Sequence, residues 1–331
     1  MKTPLCETHK KLGARFIAFE GWEMPLQYEG ILSEVRSVRE SAGVFDVSHM
    51  GRLRLRGKGV REKLQVLTTN DVNKLKPGKV QYNLLTNEKG GIKDDITVYM
   101  LSEEEFMLCV NAANREKVLR WLGEHMDVED MTLRTVQIAL QGKESEYVLG
   151  KLYDVAGIKY YRFKTFGEVL ISRTGYTGED GFEIYAPVEE GVKIFKRLVG
   201  AVRPCGLGSR DVLRIEAGLP LYGHEISEDI TPLEANLGRF VDFSKNFLGK
   251  EALLGEEVKR KLFGLELEDK GVPRKGQEIL KGGSVIGKVS SGTFSPTLGK
   301  GIALCFVEVE ERREGAEVRL RSGRRELMGR L

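Results

Sequence analysis

At about residue 240 the hydrophobic period of the chain changes. Downstream, residues 263–267, 284–290, 302–309 and 316–320 alternate apolar and polar side chains in short runs separated by glycine turns. Alternation with a period of two marks half-buried strands, so the tail reads as an all-β sandwich or barrel. Upstream the pattern is mixed. Ile31, Val35 and Val38 recur at helical spacing, with Gly43 placed to end that helix. Residues 61–67, 114–125, 188–199 and 209–217 also read as helices. Residues 51–56, Gly-Arg-Leu-Arg-Leu-Arg, alternate strictly and read as a half-exposed strand. Residues 92–101 and 105–110 read as strands, as do 168–173 and 181–186 around the loop at 174–180. The 39 glycines, against nine prolines and with no repeat period, fit many turns between short elements. The whole is α+β, and a length of 331 residues allows two or three domains.

Charge and motifs exclude more than they identify. The balance of 52 basic and 49 acidic residues gives +3, too mild for a dedicated nucleic-acid binder. No apolar run is long enough to span a membrane, and the N-terminus lacks the look of a signal or transit peptide, so a cytoplasmic location is expected. Cys6, Cys109, Cys205 and Cys305 are far apart, as are His9, His49, His125 and His224. Neither set has metal-ligand spacing, so no metal is expected. The Walker A loop, the Rossmann glycine fingerprint, Gly-x-Ser-x-Gly and His-Glu-x-x-His are all missing.

A few polar residues stand out by position. Asp94 and Asp95 are adjacent in a strand, where side chains alternate faces. One carboxylate therefore points to the packed side and needs a partner or a job. Glu183 shares a strand face with Gly181 and Tyr185, as a site residue or as a paired surface Glu. Arg210 opens a helix after Gly206-Leu207-Gly208-Ser209, as an anion ligand or as one half of an Arg210–Asp211 pair. Tyr82 and Tyr176 fall in apparent loops, where an aromatic ring can stack on a flat ligand or cover a core edge.

The segments 21–26 (Gly-Trp-Glu-Met-Pro-Leu), 43–51 (Gly-Val-Phe-Asp-Val-Ser-His-Met-Gly), 69–71 (Thr-Asn-Asp) and 90–95 (Gly-Gly-Ile-Lys-Asp-Asp) form an ordered series. It continues with 110–114 (Val-Asn-Ala-Ala-Asn), 172–183, 205–211 and 291–299. Eight such motifs in order, nearly end to end, resemble the aminomethyltransferase, or T-protein, of the glycine cleavage system. The resemblance implies a three-domain cloverleaf around a tetrahydrofolate channel. Residues 1–51 with 136–240 would form a discontinuous α+β folate-binding domain. Residues 52–135 would form a ferredoxin-like domain carrying the catalytic Asp, and 241–331 a C-terminal β-barrel or jelly-roll-like domain.

It also implies a reaction: the one-carbon unit on the aminomethyl-lipoyl arm of H-protein passes to tetrahydrofolate, giving 5,10-methylenetetrahydrofolate and ammonia. P- and L-proteins would act in the same pathway, and the chain would be a monomer. The catalytic Asp falls on Asp95, and folate contacts fall on Met50, Tyr82, Asn111, Tyr176, Glu183 and Arg210. A carboxylate can accept the ring N–H and exocyclic amine of a pterin in a fork, and an Arg suits the anionic glutamate tail.

The family usually ends in an aromatic segment and an Arg that contacts folate, whereas this sequence ends at Gly329-Arg330-Leu331. No residue is carried over for that contact. Lys143 and His224 also depart from the family's habit. Two other readings compete: a folate domain of the dimethylglycine or sarcosine dehydrogenase type, and a non-catalytic folate-binding protein. The first would carry a flavin domain with a glycine-rich dinucleotide loop, which is missing. The retained Asp95 and the full motif series oppose the second.

Overall fold

The computed structural model describes residues 1–323 and 325–331; of the arginines at 312–330, Arg324 alone lies outside them. The chain divides into two units, the first made of residues 1–65, 72–83 and 96–213 and the second of 66–71, 84–95 and 214–331.

The first unit is built on a six-stranded sheet in the order Phe163–Phe166, Val169–Ser172, Gly181–Pro187, Thr135–Gln141, Gly43–Asp46, Arg203–Cys205. All neighbours are antiparallel except the last pair. One face is covered by the helix Val188–Val199, whose Ile194, Phe195 and Leu198 pack on Val136, Ile138, Leu140, Phe182 and Ile184. A second core holds the helix Ile31–Glu40 through Val35 and Val38, packed with Phe45, Val47, Val212 and Leu213. The anticipated helices at 61–67, 114–125 and 209–217 form as Val60–Leu67, Arg115–Gly123 and Leu207–Glu216.

A five-stranded sheet runs Val80–Thr86, Ile92–Ser102, Glu105–Val110, Gly51–Arg56, Val128–Asp130. Two expectations fail here. Tyr82 lies on the Val80–Thr86 strand, not in a loop. The Gly51–Arg56 strand is not half-exposed, because Arg52 is buried with its leucine neighbours. Its guanidinium spends its donors on four backbone carbonyls and one hydroxyl: it donates to the carbonyls of Ser48 (2.9 Å), Met50, Thr132 and Thr135 and to Thr135 Oγ1 (3.1 Å). Alternation predicts faces; it cannot foresee carbonyls that converge from distant segments.

In the second unit the tail closes as a barrel in the order Arg260–Leu267, Lys300–Glu308, Ser284–Ser295, Glu278–Lys281, Glu317–Ser322, Arg325–Arg330. The ring is completed by Glu266 opposite Arg330 and Leu267 opposite Gly329. Leu265, Ile279, Ile286, Val289, Cys305, Val307 and Leu320 fill it. The same unit holds the turn that launches the Asp94–Asp95 strand. Asn87 Oδ1 accepts from the N–H groups of Lys89 and Gly91, and Ile92 N–H donates to the carbonyls of Ser227 and Ile230. Only glycine fits at position 91, since a Cβ there would sit 1.8 Å from the Glu228 carbonyl oxygen.

Candidate active site

Glu183 sits at the middle of the Gly181–Pro187 strand, opposite Ala139, and only 8% of its surface is exposed. The surface-Glu alternative is therefore excluded. Its carboxylate is held by a closed ring of polar side chains. Thr174 donates to Glu183 Oε2 (2.6 Å) and Gln137 Nε2 donates to Oε1 (3.1 Å). Gln137 Nε2 also donates to the Tyr185 hydroxyl (3.1 Å), which meets the Tyr99 hydroxyl at 2.9 Å. Tyr99 reaches Ser172 at 3.3 Å, and Ser172 reaches Thr174 at 2.7 Å.

The proton order follows from these contacts. Thr174 gives its proton to the carboxylate, so Ser172 donates to Thr174 and Tyr99 to Ser172. Tyr185 then donates to Tyr99 and accepts from the amide of Gln137. Every donor in the ring thus runs toward Glu183. Burial raises the pKa values of Tyr99 and Tyr185 and lifts the Cys109 thiol beside them to about 12, with Glu183 adding to each shift, so all three keep their protons at neutral pH.

Arg210 lies in the first turn of the Leu207–Glu216 helix. It does not pair with Asp211. Its guanidinium lies over the Tyr176 ring, 4.8 Å from the centroid, and its Nη1 is buried with no hydrogen-bond partner. Burial lowers its pKa, and the charge of Glu183 is the largest influence opposing that shift. A buried cation with an unused donor, close to a buried carboxylate, is an arrangement that a ligand bearing both donors and an anionic group would complete.

Met50 ends the turn after the Gly43–Asp46 strand. Its side chain packs against both the Val35–Phe45 core and the cluster of Tyr99, Cys109 and Tyr185. Beside it, His49 is 3% exposed, its ring edge-on to Phe19 and its Nδ1 without a partner. Burial pushes His49 down to about 3, aided by Arg210 and Arg52 and opposed by Asp46. Asn111 is half-buried and precedes the short turn Ala112–Asn114. Tyr82 and Tyr176 are both half-buried. The first unit thus brings Glu183, Arg210 and Tyr176 into one electrostatic neighbourhood.

In the Ile92–Ser102 strand the packed-side carboxylate is Asp94, fully buried on the face of Ile92 and Ile96. Asp95 lies on the other face with Lys93 and Thr97 and is partly exposed.

Sequence reading missed Gln137, Thr174, Ser172, Tyr99 and Tyr185 as a set. The usable signal was Gln137 inside Thr-Val-Gln-Ile-Ala-Leu-Gln, a polar residue in an otherwise apolar, buried strand.

Comparison with known proteins identifies the family. Residues 5–245 match the GCVT N-terminal domain family, and residues 260–329 match the glycine cleavage T-protein C-terminal barrel domain. The chain is 63% identical over 329 residues to an aminomethyltransferase of Aquifex aeolicus, covering 99% of this chain and 93% of that one. It is 49% identical to an aminomethyltransferase of Desulfitobacterium hafniense, covering 93% and 90% of the two chains. The crystal structure of glycine cleavage system aminomethyltransferase T from Bartonella henselae superposes with a TM-score of 0.94 at 34% identity, covering 100% of this chain and 96% of that one. With its α+β fold, its closed C-terminal barrel and full-length similarity of this order, the chain belongs to the aminomethyltransferase family, the T-proteins of the glycine cleavage system.

Proposed function

We propose that this chain moves a one-carbon unit from the aminomethyl-lipoyl arm of H-protein to tetrahydrofolate: the carbon's bonds to nitrogen and to the lipoyl sulfur break as its bonds to the two folate nitrogens form, giving 5,10-methylenetetrahydrofolate, ammonia and the lipoyl arm as its dithiol. On this reading it works in the cytoplasm as a monomer, alongside the P- and L-proteins, and without a metal. Its three-domain division is 1–51 with 136–240, then 52–135, then 241–331. The observation that carries the reading is the buried, unpartnered Nη1 of Arg210, stacked on Tyr176 and electrostatically coupled to Glu183.

These residues fit the chemistry of the co-substrate. The Glu183 carboxylate uses one bond on each oxygen within the ring of side chains, and an ionised carboxylate has about four acceptor sites. Acceptor capacity therefore remains for a pterin N–H and amine. Arg210 supplies a cation for the anionic tail. Met50, Tyr82 and Tyr176 offer apolar faces to the flat rings, and Asn111 offers an amide.

Tetrahydrofolate supplies the nucleophilic nitrogen. The protein positions it against the methylene carbon and stabilises the positive charge that develops as ammonia leaves. We assign that second task to Asp95, whose role is to orient and stabilise rather than to act as a strong base.

The test is tetrahydrofolate affinity by calorimetry. Glu183→Gln and Arg210→Ala each remove one charge-assisted interaction, worth about 1.5–3 kcal/mol, so each should weaken binding roughly ten- to a hundredfold. Unchanged affinity in both variants would overturn the assignment.

A further inference from the structure

We propose that Glu34 and Arg39, both on the helix Ile31–Glu40, are positioning residues that hold Arg210 and Tyr176 in their stack. The inference rests on the folate reading of Arg210 only for its kinetic consequence; its structural content stands apart.

The helix turns Ile31, Val35 and Val38 toward the core formed with Val212 and Leu213 of the Arg210 helix. Glu34 and Arg39 lie five residues apart, about 7.5 Å along the axis, and each reaches a different segment.

Glu34 is fully buried, and its carboxylate is met by neutral donors. Such a carboxylate is costly unless hydrogen bonds replace its water. It takes them from two places: Tyr28 N–H donates to Oε1 (2.6 Å), and Gly206 N–H donates to Oε2 (2.9 Å). The Ser209 hydroxyl lies 2.9 Å from Oε2. Gly206 and Ser209 flank the start of the helix Leu207–Glu216, so the carboxylate satisfies a free N–H there and sits at the positive end of the helix dipole.

The approach leaves no slack. A Cβ on Gly206 would lie 2.2 Å from the Leu26 carbonyl oxygen, and one on Gly208 would lie 2.6 Å from Ile31 Cδ1. The turn that presents Arg210 is therefore seated in one position.

Arg39 secures the other half of the stack. Its Nη1 donates to the Thr177 carbonyl (2.7 Å) and to Glu179 Oε1 (2.8 Å), and its Nη2 reaches the Leu213 carbonyl at 3.4 Å. Thr177 and Glu179 follow Tyr176 in the loop at 174–180, and Leu213 lies in the helix that carries Arg210. One guanidinium thus ties the ring's loop to the cation's helix. A lysine could keep the charge toward Glu179 but not the planar fork.

The experiment has two readouts. Kinetically, Arg39→Gln should raise KM for tetrahydrofolate on the order of tenfold through misplacement of the stack, with kcat largely retained. Arg39→Gln combined with Arg210→Ala should be no worse than Arg210→Ala alone, because the brace then has nothing to hold. Losses that simply add would overturn the proposal. Structurally, a crystal structure of Arg39→Gln should show Arg210 displaced from the Tyr176 ring. A guanidinium still 4.8 Å from the ring centroid would overturn the brace. Should Arg39→Gln fail to fold, Arg39→Lys carries both readouts. The two failures are distinguishable: an unchanged KM in both Arg210→Ala and Glu183→Gln sinks the folate reading, whereas an unmoved stack in the Arg39 variant sinks the brace.

Discussion

His49 Nδ1 and Arg210 Nη1 are buried nitrogens without hydrogen-bond partners. For His49 this has a measurable consequence. Its folded pKa, about 3, is below the unfolded value of about 6.5. The unfolded chain therefore binds the extra proton first as the pH falls. The contribution to stability is complete above about pH 6.5 and is lost progressively toward pH 3. Between pH 7 and pH 5 the native state should lose about 2 kcal/mol from this residue. Denaturant melts of the wild type and His49→Gln at both pH values check this: the variant should show a shallower pH dependence, and parallel curves would contradict it. Residue types at this scale were legible in the sequence, but their pairings were not. Glu183 and Arg210 stood out, whereas Gln137, Tyr185, Tyr99, Ser172 and Thr174 come from four strands and a loop spread between residues 92 and 187.

At the scale of elements, the Ile92–Ser102 strand separates two adjacent carboxylates by face. Asp94 is fully buried, and Asp95 is partly exposed on the opposite side. Asp95→Asn should fold and bind tetrahydrofolate nearly as the wild type does but transfer the carbon about 10²–10³ times more slowly, the usual cost of losing one preorganised electrostatic group. Asp94→Asn should lose about 1–3 kcal/mol of stability through disturbed buried bonding, with a much smaller change in rate per folded molecule. Single-turnover rates alongside urea melts separate the two effects. Equal rate losses, or a larger one at Asp94, would show the wrong carboxylate assigned.

Elements with a clear period were readable from sequence, among them the helix Val188–Val199 and the barrel strands Arg260–Leu267 and Lys300–Glu308. The strands Glu278–Lys281 and Arg325–Arg330 were not. The first is only four residues long, and the second exposes most of its side chains, so neither carries an apolar alternation to read.

At the scale of the whole molecule, periodicity alone left the tail as a sandwich or a barrel; the pairing of Glu266 with Arg330 closes it. Composition and spacing excluded several enzyme classes without naming one, because the site is assembled from single residues rather than from a local motif. The ordered series of short segments carried the family, and full-length similarity established it.

The activity itself is tested most directly by turnover of aminomethyl-loaded H-protein. With tetrahydrofolate present, the chain should release ammonia and form 5,10-methylenetetrahydrofolate in equal amounts. Without it, the aminomethyl group should persist on the lipoyl arm. Release at the same rate with and without tetrahydrofolate, or no methylenetetrahydrofolate formed, would contradict the account.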